Sequence, residues 1–270
     1  MIQEDLSSWE ELEDRLRQLN NERDERAKQR KPILVSSFLY RGHEDANWSL
    51  ETSLERFAPR RWTFADYYRV IARARPQIET LTGHRWEIED YPKLKQWWDD
   101  YENFHSELPA YDYLIYLRHH AFPSPLLDWT RSPYVAAYFA FAAPKADRVA
   151  LYAYSEYPEG FKGGSSDAPE IKGLGQYVRS HERHFRQQSE YTLAGQFIDG
   201  RWTFVGHEDA FSKTDSGQDL LWKFTLPRTE RRKVLKNLDA YNLNAYSLFQ
   251  TEEAMLRTVA VREIELSDRD

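Results

Sequence analysis

The chain has no cysteine and only two methionines among its 270 residues. A disulfide framework, a thiol nucleophile and any thiolate metal site are therefore excluded. Long apolar runs are missing too. Nothing approaches the ~20 residues needed to cross a bilayer, and the opening MIQEDLSSWEELEDRLRQ is charged where a secretory leader requires an apolar stretch. A cytoplasmic protein with no membrane contact is expected. Positive charge is in deficit, with 37 Lys and Arg against 44 Asp and Glu for a net charge of −7. That balance argues against a globally basic nucleic-acid coat but leaves local patches open. There is no Walker loop and no Gly-x-Gly-x-x-Gly. Aromatic residues, by contrast, are abundant: nine Trp, 17 Tyr and 14 Phe. Such rings serve either as core filler or as flat surfaces on which a ligand ring can stack.

Hydrophobic patterning divides the chain into an α+β succession. Trp9, Leu12, Leu16 and Leu19 recur at helical spacing within residues 4 to 29, which predicts an amphipathic arm over 1–30 that packs on the main domain or mediates self-association. A β-prone run from Ile33 to Tyr40 ends at Arg41-Gly42. Three helical stretches are expected between 64 and 119, broken at Pro76, Gly83, Pro92 and Pro109. A short strand ends at Leu126-Leu127-Asp128, and Thr130 or Ser132 caps a buried helix with Pro133 in its first turn. Val149 to Tyr154 alternates as a strand. Strands follow near 189–197, 201–205 and 219–226, then a basic helix to Asp239 and a last helix from Glu252. The stretch from Ser155 to His181, with Gly163-Gly164-Ser165-Ser166, has loop composition. The economical fold is one α+β domain over 31–260, a small mixed sheet flanked by helices, with a tail over 261–270.

Two segments concentrate chemistry. In Phe38-Leu39-Tyr40-Arg41-Gly42-His43-Glu44-Asp45 a guanidinium closes a buried strand. It cannot shed its charge, so it must meet a phosphate or a carboxylate, either of a ligand or of an internal residue such as Asp128. Gly42 allows a ligand or another backbone to come close. In Arg118-His119-His120-Ala121-Phe122-Pro123-Ser124-Pro125-Leu126-Leu127-Asp128-Trp129-Thr130-Arg131-Ser132-Pro133, polar groups crowd a strand-to-helix junction, a favourable place for an anion. His119 and His120 are adjacent and do not share a helix face, so joint chelation is not expected, and no metal site is assigned. His181 and His184 read as solvated loop histidines, and Ser189 beside His184 lacks the orienting acid of a hydrolase.

These residues carry a family resemblance. Tyr-Arg-Gly-His-Glu-Asp-Ala-Asn-Trp-Ser-Leu from Tyr40, Leu54-Glu55-Arg56-Phe57, and the run from Arg118 to Ala140 resemble the FRG domain of bacteria and phages, named for its Phe/Tyr-Arg-Gly motif. Arg183 to Thr192 is similar to the family's Arg-x-x-x-Gln-Gln-Gly-x-Phe-Thr segment, and Leu243 to Leu256 is weakly similar to its closing segment, so the resemblance spans about 38–256. Departures are Ser124-Pro125 for Thr-Arg, Ser189 for Gly and Gln250-Thr251 for Pro-Asp. The first removes a possible phosphate-binding arginine.

A more distant resemblance is to ADP-ribosyltransferases, whose order of strand-end Arg, Ser/Thr strand and Gln-x-Glu strand falls here on Arg41, Thr130, Gln188 and Glu190. It implies a split sheet and NAD as substrate, with ADP-ribose passed to a nucleic-acid or protein acceptor, or NAD simply cleaved, in a toxin or phage-defence setting. On this reading Glu190 and Gln188 share a strand face and are catalytic, Glu190 stabilising an oxocarbenium-like state. Arg41, Gly42, His119, Asp128, Trp129, Thr130 and Tyr191 hold the nucleotide, Arg41 on the pyrophosphate and Trp129, Tyr134 or Tyr191 against a ring. The alternative is a non-catalytic module that binds a nucleotide or nucleic acid. Arg60, Arg61, Arg69 and Arg73 are interleaved with Phe57, Trp62, Phe64, Tyr67 and Tyr68, a mixture suited to phosphate contacts and base stacking, or else to an ordinary solvated helix face.

Overall fold

The computed structural model describes residues 1–29, 35–100, 104, 107–158, 168–179, 182–213 and 219–267. Its strands are β1 (Ile2–Asp5), β2 (Leu39–His43), β3 (Leu127–Thr130), β4 (Arg148–Ser155), β5 (Glu170–Gly173), β6 (Ser189–Ile198), β7 (Arg201–Phe204) and β8 (Leu220–Pro227). They join into one mixed sheet in the order β1-β8-β4-β2-β3-β6-β5, with β7 also on β6. Among the described residues, β1 and β8 alone pair in parallel. Every residue of β4 from Val149 to Ser155 is buried, as expected of a strand covered on both faces.

The helices are α1 (Trp9–Gln29), α2 (Ser53–Phe57), α3 (Phe64–Thr82), α4 (Tyr91–Asp99), α5 (Tyr111–His119), α6 (Pro133–Phe141), α7 (Glu182–Arg186), α8 (His207–Lys213), α9 (Arg231–Ala240), α10 (Ala245–Phe249) and α11 (Glu252–Ala260). The apolar stripe of α1, with Trp9, Leu12, Leu16 and Leu19, is buried in the core that α6 and α9 share with β4 and β8. These four residues of the stripe are thus packed within the chain. A second core joins α3, α4 and α5 to β6 and β7. A third, with Trp129, Tyr152 and Tyr154, is packed with Ala210 and Phe211 of α8.

Local signals placed most of these elements. Ser132 caps α6, its hydroxyl accepting from the Val135 amide at 3.3 Å, and Pro133 sits at the first position. Gly83 ends α3 in the left-handed region. Three differences have physical causes. Residues 2–5 form an edge strand on β8 instead of the start of a helix, and α1 starts only at Trp9. α3 continues through Pro76, because Phe64, Tyr67, Tyr68 and Ile71 anchor its first turns in the core. β2 begins at Leu39; Ile33 and Leu34 lie outside the described residues, as do Gly163 to Ser166 and His181.

One feature of the sheet positions the site. β2 pairs with β4 along its whole length, and β3 with β6 likewise, yet β2 and β3 meet at the single pair Tyr40↔Thr130. The sheet is continuous but joined there by a thin seam, where the two strands part.

Candidate functional site

A cavity of about 940 Å³ opens at this seam, walled by β2, β3, the 44–56 connection, α5, α6 and the junction of α7 with β6. Arg41 spans the gap between the strands. Its Nη1 donates to the Asp128 carbonyl at 2.6 Å and its Nε to Nε2 of His43 at 3.0 Å. Both acceptors are neutral. Burial pulls this guanidinium down to about 10, with Asp128 pulling the other way, so it remains charged at neutral pH. Burial, then the Arg41 charge, pulls His43 down to about 3, so it is a neutral acceptor.

The internal ion pair expected between Arg41 and Asp128 forms with a different arginine. Arg118 donates through Nε to Oδ1 of Asp128 at 2.8 Å, and its Nη2 lies 2.7 Å from Oδ2. Its Nη1 donates to Ser53 at 3.1 Å. Burial works against the Asp128 carboxylate, but the Arg118 charge and hydrogen bond hold it below the usual carboxylate range. The reason is reach: Arg118 comes from the last turn of α5 beside the Asp128 carboxylate, whereas Arg41 meets the same residue edge-on, along the backbone.

Arg41, Gly42, His119, Asp128, Trp129 and Thr130 all line the cavity. Gly42 is there for packing, since a Cβ would lie 1.9 Å from the Ala136 carbonyl of α6. Trp129 contributes no ring for stacking. Its indole is buried beside Tyr154 and donates to Thr192 at 2.7 Å. Thr130 donates to the Gln187 carbonyl at 2.7 Å, closing the junction of β3 with the α7–β6 turn. Tyr134 packs between Trp9 and Tyr241. Ser124 is fully buried in a turn held by Ser53.

Gln188, Glu190 and Tyr191 do not line the cavity. Gln188 has φ +48° and precedes the strand, which begins at Ser189, so the two-residue spacing to Glu190 does not give a shared strand face. Register then sets the rest. Glu190 lies across from Trp129 and takes the same face, while Tyr191 lies across from Asp128. Glu190 instead meets Arg131 at 3.6 Å, and burial raises its carboxyl above the ordinary value. Tyr191 is buried behind His119, its hydroxyl 2.8 Å from Nε2.

The basic aromatic stretch divides between the α2–α3 connection, which holds Arg60, Arg61 and Trp62, and α3, whose Phe64, Tyr67 and Tyr68 are buried in the core. Arg60 lies over Trp62 at 3.5 Å, Arg69 pairs with Asp66 at 3.3 Å, and Arg61 and Arg73 are exposed. Sequence reasoning did not assign roles to Arg118, His43 or Trp48, which also line the cavity, as does Arg56 from the basic aromatic stretch. Arg118 and His43 sit inside the motifs already quoted, and a charged residue within a buried motif was the available signal.

Neither the curated proteins nor the solved structures contain a match to this chain. Residues 36–148 are similar to the FRG domain, whose family model they match, a stretch that includes Arg41, Gly42, Arg118, His119 and Asp128 to Thr130 and stops before Gln188 and Glu190.

Proposed function

We propose that the seam cavity binds a phosphate-bearing nucleotide, with NAD the first ligand to test. One observation carries this reading: Arg41 presents a permanent charge to the cavity while both of its hydrogen-bond acceptors are neutral, and the nearby carboxylate is already engaged by Arg118. A phosphate oxygen would supply the missing anion through charge-assisted hydrogen bonds. The volume of about 940 Å³ lies at the upper end of ordinary ligand pockets. Trp48, half of whose surface is open, and the Phe139–Phe249 pair with Arg183 over Phe249 offer ring faces for a base or a nicotinamide.

Cleavage of NAD, with or without transfer of ADP-ribose to a nucleic-acid or protein acceptor, is the finer form of this reading. It calls for a carboxylate near the ribose. Glu44 and Glu51 line the cavity and Glu190 does not, so this role would fall to one of them. Calorimetry with NAD, ADP and sulfate tests binding, and release of nicotinamide from NAD tests turnover. Absence of heat with all three ligands would reject the reading.

A further inference from the structure

Four arginines line the seam cavity, and they are not equivalent. Arg118 is spent on Asp128 and Ser53. Arg183 lies over the Phe249 ring at 5.6 Å. The other two each donate to a backbone carbonyl, Arg41 to that of Asp128 at 2.6 Å and Arg56 to that of Glu51 at 2.6 Å. A carbonyl accepts a hydrogen bond but cancels no charge. Among the described residues no ion pair joins Arg41 or Arg56 to a carboxylate, and Asp128 is taken by Arg118. Glu55, the acid beside Arg56 in the chain, is occupied by the amide and the hydroxyl of Thr52, both at 2.7 Å.

Contacts that involve neither cation set their relative position. Arg118 links Asp128 of β3 to Ser53, the first residue of α2, and the Ser53 hydroxyl also accepts from the Ser124 amide at 3.0 Å. Leu54 is buried in the second core, and a capping box between Thr52 and Glu55 closes the start of the helix. α2 is thereby held beside Asp128. Arg56 stands three residues beyond Ser53 and shares its helix face, while Arg41 lies along the backbone of the same Asp128. Arg41 is half-buried and Arg56 exposed, so Arg41 is the deeper of the two. Burial is the largest influence on Arg41, and among the charges that push it down are Arg118 and Arg56. Such repulsion is a cost in the free protein that a bound anion relieves.

One phosphate at Arg41 would leave the Arg56 charge unanswered, whereas two phosphates joined through an oxygen carry a second anion toward the mouth. We propose that Arg41 and Arg56 form a clamp for two linked phosphates, so that the ligand class of the cavity is a diphosphate ester and Arg56 selects it over a monophosphate. This rests on the reading of the cavity as an anion site. Glu44 and Glu51 bring negative charge to the same cavity, which weakens loose attraction of anions and leaves the advantage to a ligand that both guanidinium groups contact directly.

Calorimetry on the full chain with AMP and ADP-ribose tests the clamp. Both ligands carry about two negative charges at about pH 8, on a single phosphorus in AMP and divided between two in ADP-ribose, so net charge does not separate them. ADP-ribose should bind about tenfold or more tighter than AMP. Arg56→Gln should remove about tenfold from the ADP-ribose affinity while leaving AMP within about threefold of wild type, and Arg56→Lys, which keeps the charge without the fork, should fall between. Because Arg56 is exposed and gives up one hydrogen bond, both variants should melt within about two degrees of wild type. Equal affinities for the two ligands in the wild type, or an Arg56→Gln change that affects both ligands alike, would overturn the clamp while leaving Arg41 as a site for one phosphate. If neither ligand binds, the anion-site reading and the clamp fall together.

Discussion

Arg118 holds both carboxylate oxygens of Asp128, at 2.8 Å and 2.7 Å, and so leaves the backbone carbonyl of the same residue to Arg41. The two arginines divide one aspartate between them. One neutralises a charge and the other does not, and from that division the cavity acquires its unbalanced positive end.

Breaking the neutralised pair should destabilise the fold. The Arg118 side chain is 16% exposed and that of Asp128 39%, so solvent screens the pair and the penalty falls below that of a fully buried one. Arg118→Met is expected to cost about 2–3 kcal/mol in urea unfolding. A loss under about 0.5 kcal/mol would place this pair with ordinary surface ion pairs.

Arg41 should behave differently. Its hydrogen bonds go to neutral acceptors, so Arg41→Ala should lower the melting temperature by only a few degrees, while losing about 10- to 100-fold in affinity for NAD or sulfate. Arg41→Lys keeps the charge without the fork and should recover part of the affinity. A collapse of the fold in Arg41→Lys, read by circular dichroism, would make the residue structural.

Gly42→Ala should be the most damaging single methyl group in this region. The new Cβ would lie 1.9 Å from the Ala136 carbonyl and 2.7 Å from the Ala140 amide nitrogen. Both are backbone atoms that cannot move without shifting α6 from β2. A loss of about 3 kcal/mol or more is expected, or failure to accumulate soluble protein.

His43 and His207 give the fold a pH dependence. Burial, with the Arg41 charge next, pulls each down to about 3. An unfolded histidine titrates near about 6.5, so below that pH the unfolded state binds protons that the folded state refuses. Their contribution is complete above the unfolded value and is lost as pH falls toward about 3. Stability should decline by up to about 1.4 kcal/mol per pH unit for each histidine between about pH 6.5 and 5, before carboxylates titrate. His207→Gln, which can still accept from Thr192, should flatten the slope of the urea midpoint. An unchanged slope would show that His207 is not kept neutral.

Much of the site was legible in the two motif segments because their information is local. A strand-end arginine before glycine, a proline-marked junction and an Asp-Trp-Thr strand bring Arg41, His119 and Asp128 to one cavity. The Gln188–Glu190 pairing was not legible, because it depends on where the strand starts. The left-handed backbone at Gln188 delays β6 to Ser189, and the period of two then turns Glu190 toward Arg131.

Sequence alone established the alternation of helices and strands and the Ser132-Pro133 helix start, since each follows from side-chain chemistry and short-range backbone preference. The tertiary structure decided which arginine takes Asp128, how β2 and β3 part after a single pair, and that Tyr191 backs His119 instead of lining the cavity. Those outcomes depend on sheet register and on the approach of α5, which bring together residues far apart in the chain and leave no mark in any single segment.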